Sequence, residues 1–216
     1  MATTGPIFPR SASTLSESGW TGNTWLTPEN LYGAGNAAIT ASTFDQGVKS
    51  YVLRAYGFDF SGIPDGATID GVQVGIGGAY YAVGLCSLAM ARLLTSQGSQ
   101  AGTNQYATPT VVTTTAANYT KGGAADKWGN ALDSAWVKSS LFGVGIGVSV
   151  QSNNCDVFIN SLSMEVWYTV NAQSYSDQVA DNLGISDSAW RSMTIVRRPG
   201  VRRPFGAVFI WGKDVS

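Results

Sequence analysis

Three aspartates, Asp126, Asp133 and Asp156, stand by loop position where two carboxylates would act as acid and base across a cleft. A glycosidase needs no more than such a pair. Aspartate in loops is also an ordinary turn and capping residue, and that plainer reading is preferred for all three. Little other reactive chemistry is on offer. The chain has no histidine, which removes the commonest general base and metal ligand and makes Ser-His-Asp and Cys-His arrangements impossible. Two separated cysteines, Cys86 and Cys155, cannot supply a zinc site of the usual type. The run "GIGG" at 75–78 lacks the Gly-Lys-Ser/Thr ending of a phosphate loop and lies in alternating strand sequence. These residues predict a protein with no catalytic residue, no cofactor and no metal.

Residues suited to binding are better represented. Seven tryptophans in a weakly charged chain raise the idea of stacking on sugar faces, with Trp20, Trp25, Trp128 and Trp136 near loops. The preferred reading makes them plugs at the ends or interfaces of a sandwich, as large amphipathic side chains are. Near the C-terminus, "RRPGVRRPFGAVFIW" gathers Arg197, Arg198, Arg202 and Arg203 ahead of Phe205, Phe209 and Trp211. A solvated tail is the default for a basic run, and nucleic-acid binding would want more charge with interleaved aromatics. The third reading ranks first: the arginines meet carboxylates on a partner protein while the aromatic residues anchor, the types enriched at interface hot spots. An isolated apolar strand is not stable alone, so this one has to dock.

Such residues must be positioned by strands. The 216-residue chain is 44% apolar and only 12% charged, about half the usual quarter, and its many Thr, Val and Tyr favour sheet over long helices. Net charge is −1, with seven Lys or Arg against ten acids in residues 1–170 and six against four in 171–216. That balance gives no global pull toward nucleic acid or acidic lipid. The opening "MATTGPIFPR" lacks an apolar core of signal-peptide length, and no run reaches the roughly 18 apolar residues of a membrane span. A product made in the cytoplasm is expected, soluble or built into something assembled there. Cys86 and Cys155 lie in apolar runs and are expected as buried free thiols rather than a bridge.

Residues 1–19 read as an extended N-terminal arm, 20–170 as a β-sandwich body, and 171–216 as an interaction segment of short helical turns plus a docking strand. In the body, short strand candidates alternate with Gly, Pro, Asn and Asp clusters. They are Ala37–Ala41, Ser50–Phe60, Gly71–Gly78, Leu85–Leu94, Pro109–Thr115, Leu141–Gln151, Cys155–Ile159 and Ser163–Val170. Val52, Tyr56, Phe58 and Phe60 are expected on one face, as are Cys86, Leu88 and Met90. About eight strands with several long connections predict an all-β, two-sheet, jelly-roll-like sandwich. Gly75, Gly77, Gly143, Gly145 and Gly147 then fall on outward faces. Interior strand glycines often mark close approach of another backbone; the alternative is drift on a tolerant exposed face.

Five segments occur in a telling order: "TWLTPEN" (Thr24–Asn30), "GFDFSGIPDGATIDGVQVGI" (Gly57–Ile76), "KGGAADKWG" (Lys121–Gly129), "LFGVGIGV" (Leu141–Val148) and "MEVWYTV" (Met164–Val170). This order resembles a β-sandwich domain of virion structural proteins of tailed bacteriophages, over residues 20–170. The resemblance implies a non-enzymatic building block and leaves its place in the particle open. The leading expectation is a capsid decoration, or cement, protein: a homotrimer on the head, tied by its arm and tail to the major capsid protein or other virion proteins. A tail or fibre-base component is the alternative. A carbohydrate-binding module for host-surface glycans is the second. Neither nucleic acid nor membrane is expected as a partner, and the expected location is the virion, assembled in the host cytoplasm.

Overall fold

Phe142, Val144, Ile146, Val148 and Val150 alternate with glycine and serine, and that period of two sends every bulky side chain to one face. The computed structural model describes residues 1–31, 47–152 and 155–170. In chain order its elements are β1 (Ala2–Thr3), β2 (Ser11–Leu15), a 3-10 turn (Pro28–Leu31), β3 (Val52–Tyr56), β4 (Thr68–Val83) and β5 (Cys86–Leu94). Then come β6 (Gln100–Ala101), β7 (Thr110–Val111), β8 (Ala117–Gly122), α1 (Ser134–Val137), β9 (Gly143–Val150), β10 (Asp156–Phe158) and β11 (Ser161–Thr169). The expected strand at Ala37–Ala41 and the whole C-terminal segment lie outside the described residues.

Two antiparallel sheets pack face to face, so the all-β sandwich is the observed fold. One sheet runs β1-β11-β4-β10 with β8 also on β4, and the other runs β2-β3-β9-β5-β6 with β7 also on β5. The core between them is built from Ile69, Val72, Val74 and Ile76 of β4, Leu162, Met164 and Val166 of β11, and Val144, Ile146 and Val148 of β9. Phe60 packs edge-on against Phe142 at 5.9 Å between centroids and closes one end.

Four expectations are corrected. In β3 it is Leu53 and Ala55 that enter the core cluster, not Val52 and Tyr56; Gly57, at φ +73, redirects the chain before Phe58 and Phe60 turn inward. In β5 the register shifts between Leu88 and Met90. A bulge inserts one residue and so exchanges the faces beyond it. Ala91 and Leu93 therefore follow Cys86 and Leu88 into the core, while Met90 does not. The backbone groups freed by the bulge are taken up by Asn104, whose Oδ1 accepts from Ala91 N and whose Nδ2 donates to Ala89 O, both at 3.0 Å.

The cysteines form a disulfide, with Cα atoms 6.3 Å apart. Cys86 opens β5 in one sheet and Cys155 precedes β10 in the other, and both are fully buried. The bridge thus staples sheet to sheet, a juxtaposition that spacing along the chain does not reveal. The N-terminal arm, finally, is extended but engaged. Ala2 and Thr3 pair with Tyr168 and Trp167, Ile7 bridges Met164, and Ser11–Leu15 pairs with Val52–Tyr56. An edge strand presents a row of unpaired backbone groups, and this arm satisfies one such row in each sheet. Its Ser- and Thr-rich sequence carries no hydrophobic period to announce those strands.

Candidate binding face on the six-stranded sheet

The outward face of β9 has no side chains at Gly143, Gly145 and Gly147, yet all three are buried. Neighbours fill the space. A Cβ at Gly147 would run into the Trp20 ring, and one at Gly143 into the Ala55 carbonyl. One at Gly145 would lie 3.0 Å from Val52 Cγ1 and 3.6 Å from Gln100 Nε2. The close approach expected at these glycines is therefore made by the chain's own segments. On the other sheet, Gly75 and Gly77 face the Ser163 and Ser161 hydroxyls in the same way.

Cross-strand register sets two arginines beside the covered glycine file, along a furrow whose walls include Trp20 and Gln100. Gly145 stands opposite Arg54 on β3 and opposite Arg92 on β5. The two arginines thus flank one glycine, roughly 10 Å apart at the backbone, two strand spacings. Met90, turned outward by the bulge, stands opposite Gly147. Two cavities open here. One, of about 270 Å³, is lined by Glu17, Trp20, Met90, Arg92, Gln100 and Asn104 among others. The second, of about 230 Å³, has Glu17, Arg54, Gln97, Ser99 and Gln100 in its wall. Glu17 and Gln100 belong to both.

Charge and hydrogen bonding separate the working groups from the structural ones. Asn104 is consumed by the bulge, its Oδ1 also accepting from Tyr106 N at 3.0 Å. Lys49 Nζ lies 5.1 Å from the centroid of the Trp20 ring, a cation–π arrangement. Arg54 Nε and Gln100 Nε2 are buried without a hydrogen-bond partner. Buried polar groups are nearly always paired, so such exceptions need a cause. Among the described residues the ion pairs are Arg10–Asp59, at 2.9 Å, and Lys138–Asp65; neither Arg54 nor Arg92 is in one.

The aspartates weighed as a carboxylate pair, and the tryptophans weighed for sugar stacking, sit mostly elsewhere. Asp126 accepts from Trp128 N at 2.7 Å and from Gln105 Nε2 at 3.1 Å. Asp133 caps α1 by accepting from Trp136 N at 2.6 Å. Asp156 lies on β10 opposite Val83, whereas the Asp126 carbonyl binds Val72 N. Those β4 positions are eleven residues apart, on the order of 30 Å, far beyond the roughly 5–10 Å of paired catalytic carboxylates. Trp25, Trp128 and Trp136 donate their indole N–H to the carbonyls of Tyr51, Val72 and Leu94 at 2.8, 2.9 and 3.1 Å. Trp25 and Trp128 are buried, and all three act as plugs. Trp20 alone of the four borders the furrow. Arg197, Arg198, Arg202, Arg203, Phe205, Phe209 and Trp211 lie outside the described residues.

No family model matches the chain, no curated protein matches it, and no solved structure matches it. Sequence reasoning missed Glu17, Arg54, Arg92 and Gln100. The signal was available for two of them: Arg54 and Arg92 are charges inside otherwise apolar strands, with only five other Lys or Arg in residues 1–170.

Proposed function

We propose that the chain is a non-enzymatic structural protein of a tailed-phage virion, a decoration protein that binds the major capsid protein and stabilises the head. One observation carries the reading: the residues that make up the virion-domain resemblance are scaffold residues. Trp25, Ile63, Ala67, Trp128 and Phe142 are all buried. The Gly122–Trp128 loop closes on β4, where a Cβ at Gly71 would strike Gly123 and Ala124 and the Trp128 indole binds Val72 O. In this reading the five segments serve to build a sandwich, as a building block requires.

In this reading the sandwich sits on the outer surface of the head as a trimer, and residues 171–216 make the attachment. Stabilisation follows from mass action, since a ligand that binds only the intact shell favours the intact shell. The test is to mix expanded heads with the full chain and with a chain lacking residues 197–216. Full occupancy by the first and none by the second is expected. Equal occupancy would remove the tail from the attachment, and binding at the tail alone would favour the fibre-base alternative.

A further inference from the structure

We propose that the furrow made by the two cavities that share Glu17 and Gln100 is a binding site for an acidic saccharide, a hydroxyl-bearing ring that also carries a carboxylate. This does not rest on the virion reading. Each cavity has in its wall one arginine without a carboxylate partner among the described residues, Arg92 in the first and Arg54 in the second. Arg54 Nε and Gln100 Nε2, both in the cavity walls, hold donors already stripped of water and given nothing in exchange. Swinging either toward a ligand breaks no existing hydrogen bond, and a charge-assisted bond to a carboxylate is among the stronger ones available. The first cavity, of about 270 Å³, is close to the lower end of an ordinary small-molecule site, roughly 300–1,000 Å³.

Glu17 narrows the ligand class. It lines both cavities and accepts only, so a bare anion such as phosphate would meet repulsion there. A ligand with hydroxyls to donate to Glu17 and a carboxylate for Arg54 or Arg92 satisfies both signs, and Trp20 with Met90 supplies an apolar wall for ring carbons. An extended acidic peptide is a poorer match. Peptides recognised on sheets gain affinity through main-chain pairing at an edge, whereas the furrow crosses β3, β9 and β5, whose backbone groups already pair with one another.

The test is a titration of the isotope-labelled full chain, followed by NMR at the Trp20 indole and the Gln100 side-chain amide. The probes are oligogalacturonate, a glucuronate oligomer and sialyllactose, each beside its neutral counterpart, and hexaglutamate. At least one carboxylated sugar is expected to shift both signals, with its neutral counterpart weaker by about tenfold or more, the worth of a charged hydrogen bond. Arg92→Met and Gln100→Leu, each checked for an unchanged thermal midpoint, should weaken binding by a similar factor. The proposal is overturned if no carboxylated sugar binds, if neutral sugars bind equally, if hexaglutamate binds more tightly, or if the folded variants bind like the parent.

Discussion

Tyr106 shows how single residues report on this fold. Its ring is buried under the Lys121 ammonium, 4.4 Å from the centroid, and its hydroxyl has no partner. Burial, and then the charge of Tyr119, pushes the phenol well above its usual 10.0. A phenol that holds its proton more tightly in the folded chain contributes stability below pH 10 and loses it as pH rises further, because the unfolded chain ionises first. Tyr106→Phe should therefore keep or raise stability at pH 7, by about 1 kcal/mol at most, and flatten the loss above pH 10 in urea melts. A variant that is less stable at pH 7 would mean that the hydroxyl is bonded after all. Gly147→Ala tests the packing of Trp20 over β9. The new methyl would meet the Trp20 ring, and overpacking of this kind costs about 1–3 kcal/mol; an unchanged urea midpoint would place Trp20 elsewhere. That glycines meet a close neighbour was legible from their alternation with valine. That the neighbour is Trp20 was not, because the contact joins residues far apart in the chain.

At the scale of elements, alternation located the central strands well. Gly143–Val150, Ser161–Thr169 and the middle of Thr68–Val83 all fall within or across runs whose bulky residues recur every second position. It failed where pairing, not burial, makes the strand. β1, β2, β6 and β8 have sequences such as "SASTL" and "ANYTKG", with no apolar face to see. The bulge in β5 was also invisible, since the side chain that satisfies it, Asn104, lies beyond the strand. Removing residues 1–15 is expected to lower the thermal midpoint and promote association, because it uncovers β3 and β11 as edges. A truncated chain with the parent's oligomeric state and an unchanged midpoint would make the arm a passive passenger. Arg10 ties the arm to Asp59, whose carboxyl is held below the usual 3.8 by Ser61 first and by Arg10 next. That contribution is present above pH 3.8 and fades as pH falls below it. The disulfide closes a loop with a sequence separation of 69, for which chain entropy gives about 4 kcal/mol as an upper figure. Reduction, or the Cys86→Ala/Cys155→Ala pair, should therefore lower the urea midpoint clearly; buried free thiols would show no response to reductant.

For the whole molecule, composition and spacing gave the class of fold but not its closure: the sheet-to-sheet staple and the stitching of the arm onto both sheets come only from the third dimension. The arm changes the argument about attachment. Its strands are occupied by the body's own edges, so in the decoration reading the burden of clasping the shell falls on residues 171–216. The sandwich then acts as the platform that carries the arginine-bearing furrow on its six-stranded sheet. The most direct test of the proposed decoration role is to count and locate the chain in purified tailed-phage virions whose genome carries its coding sequence, by quantitative gel and a low-resolution map. The account predicts copies in a fixed ratio to the major capsid protein, with the sandwich on the outer surface of the head. A handful of copies confined to the tail, or no copy in the particle, would contradict it.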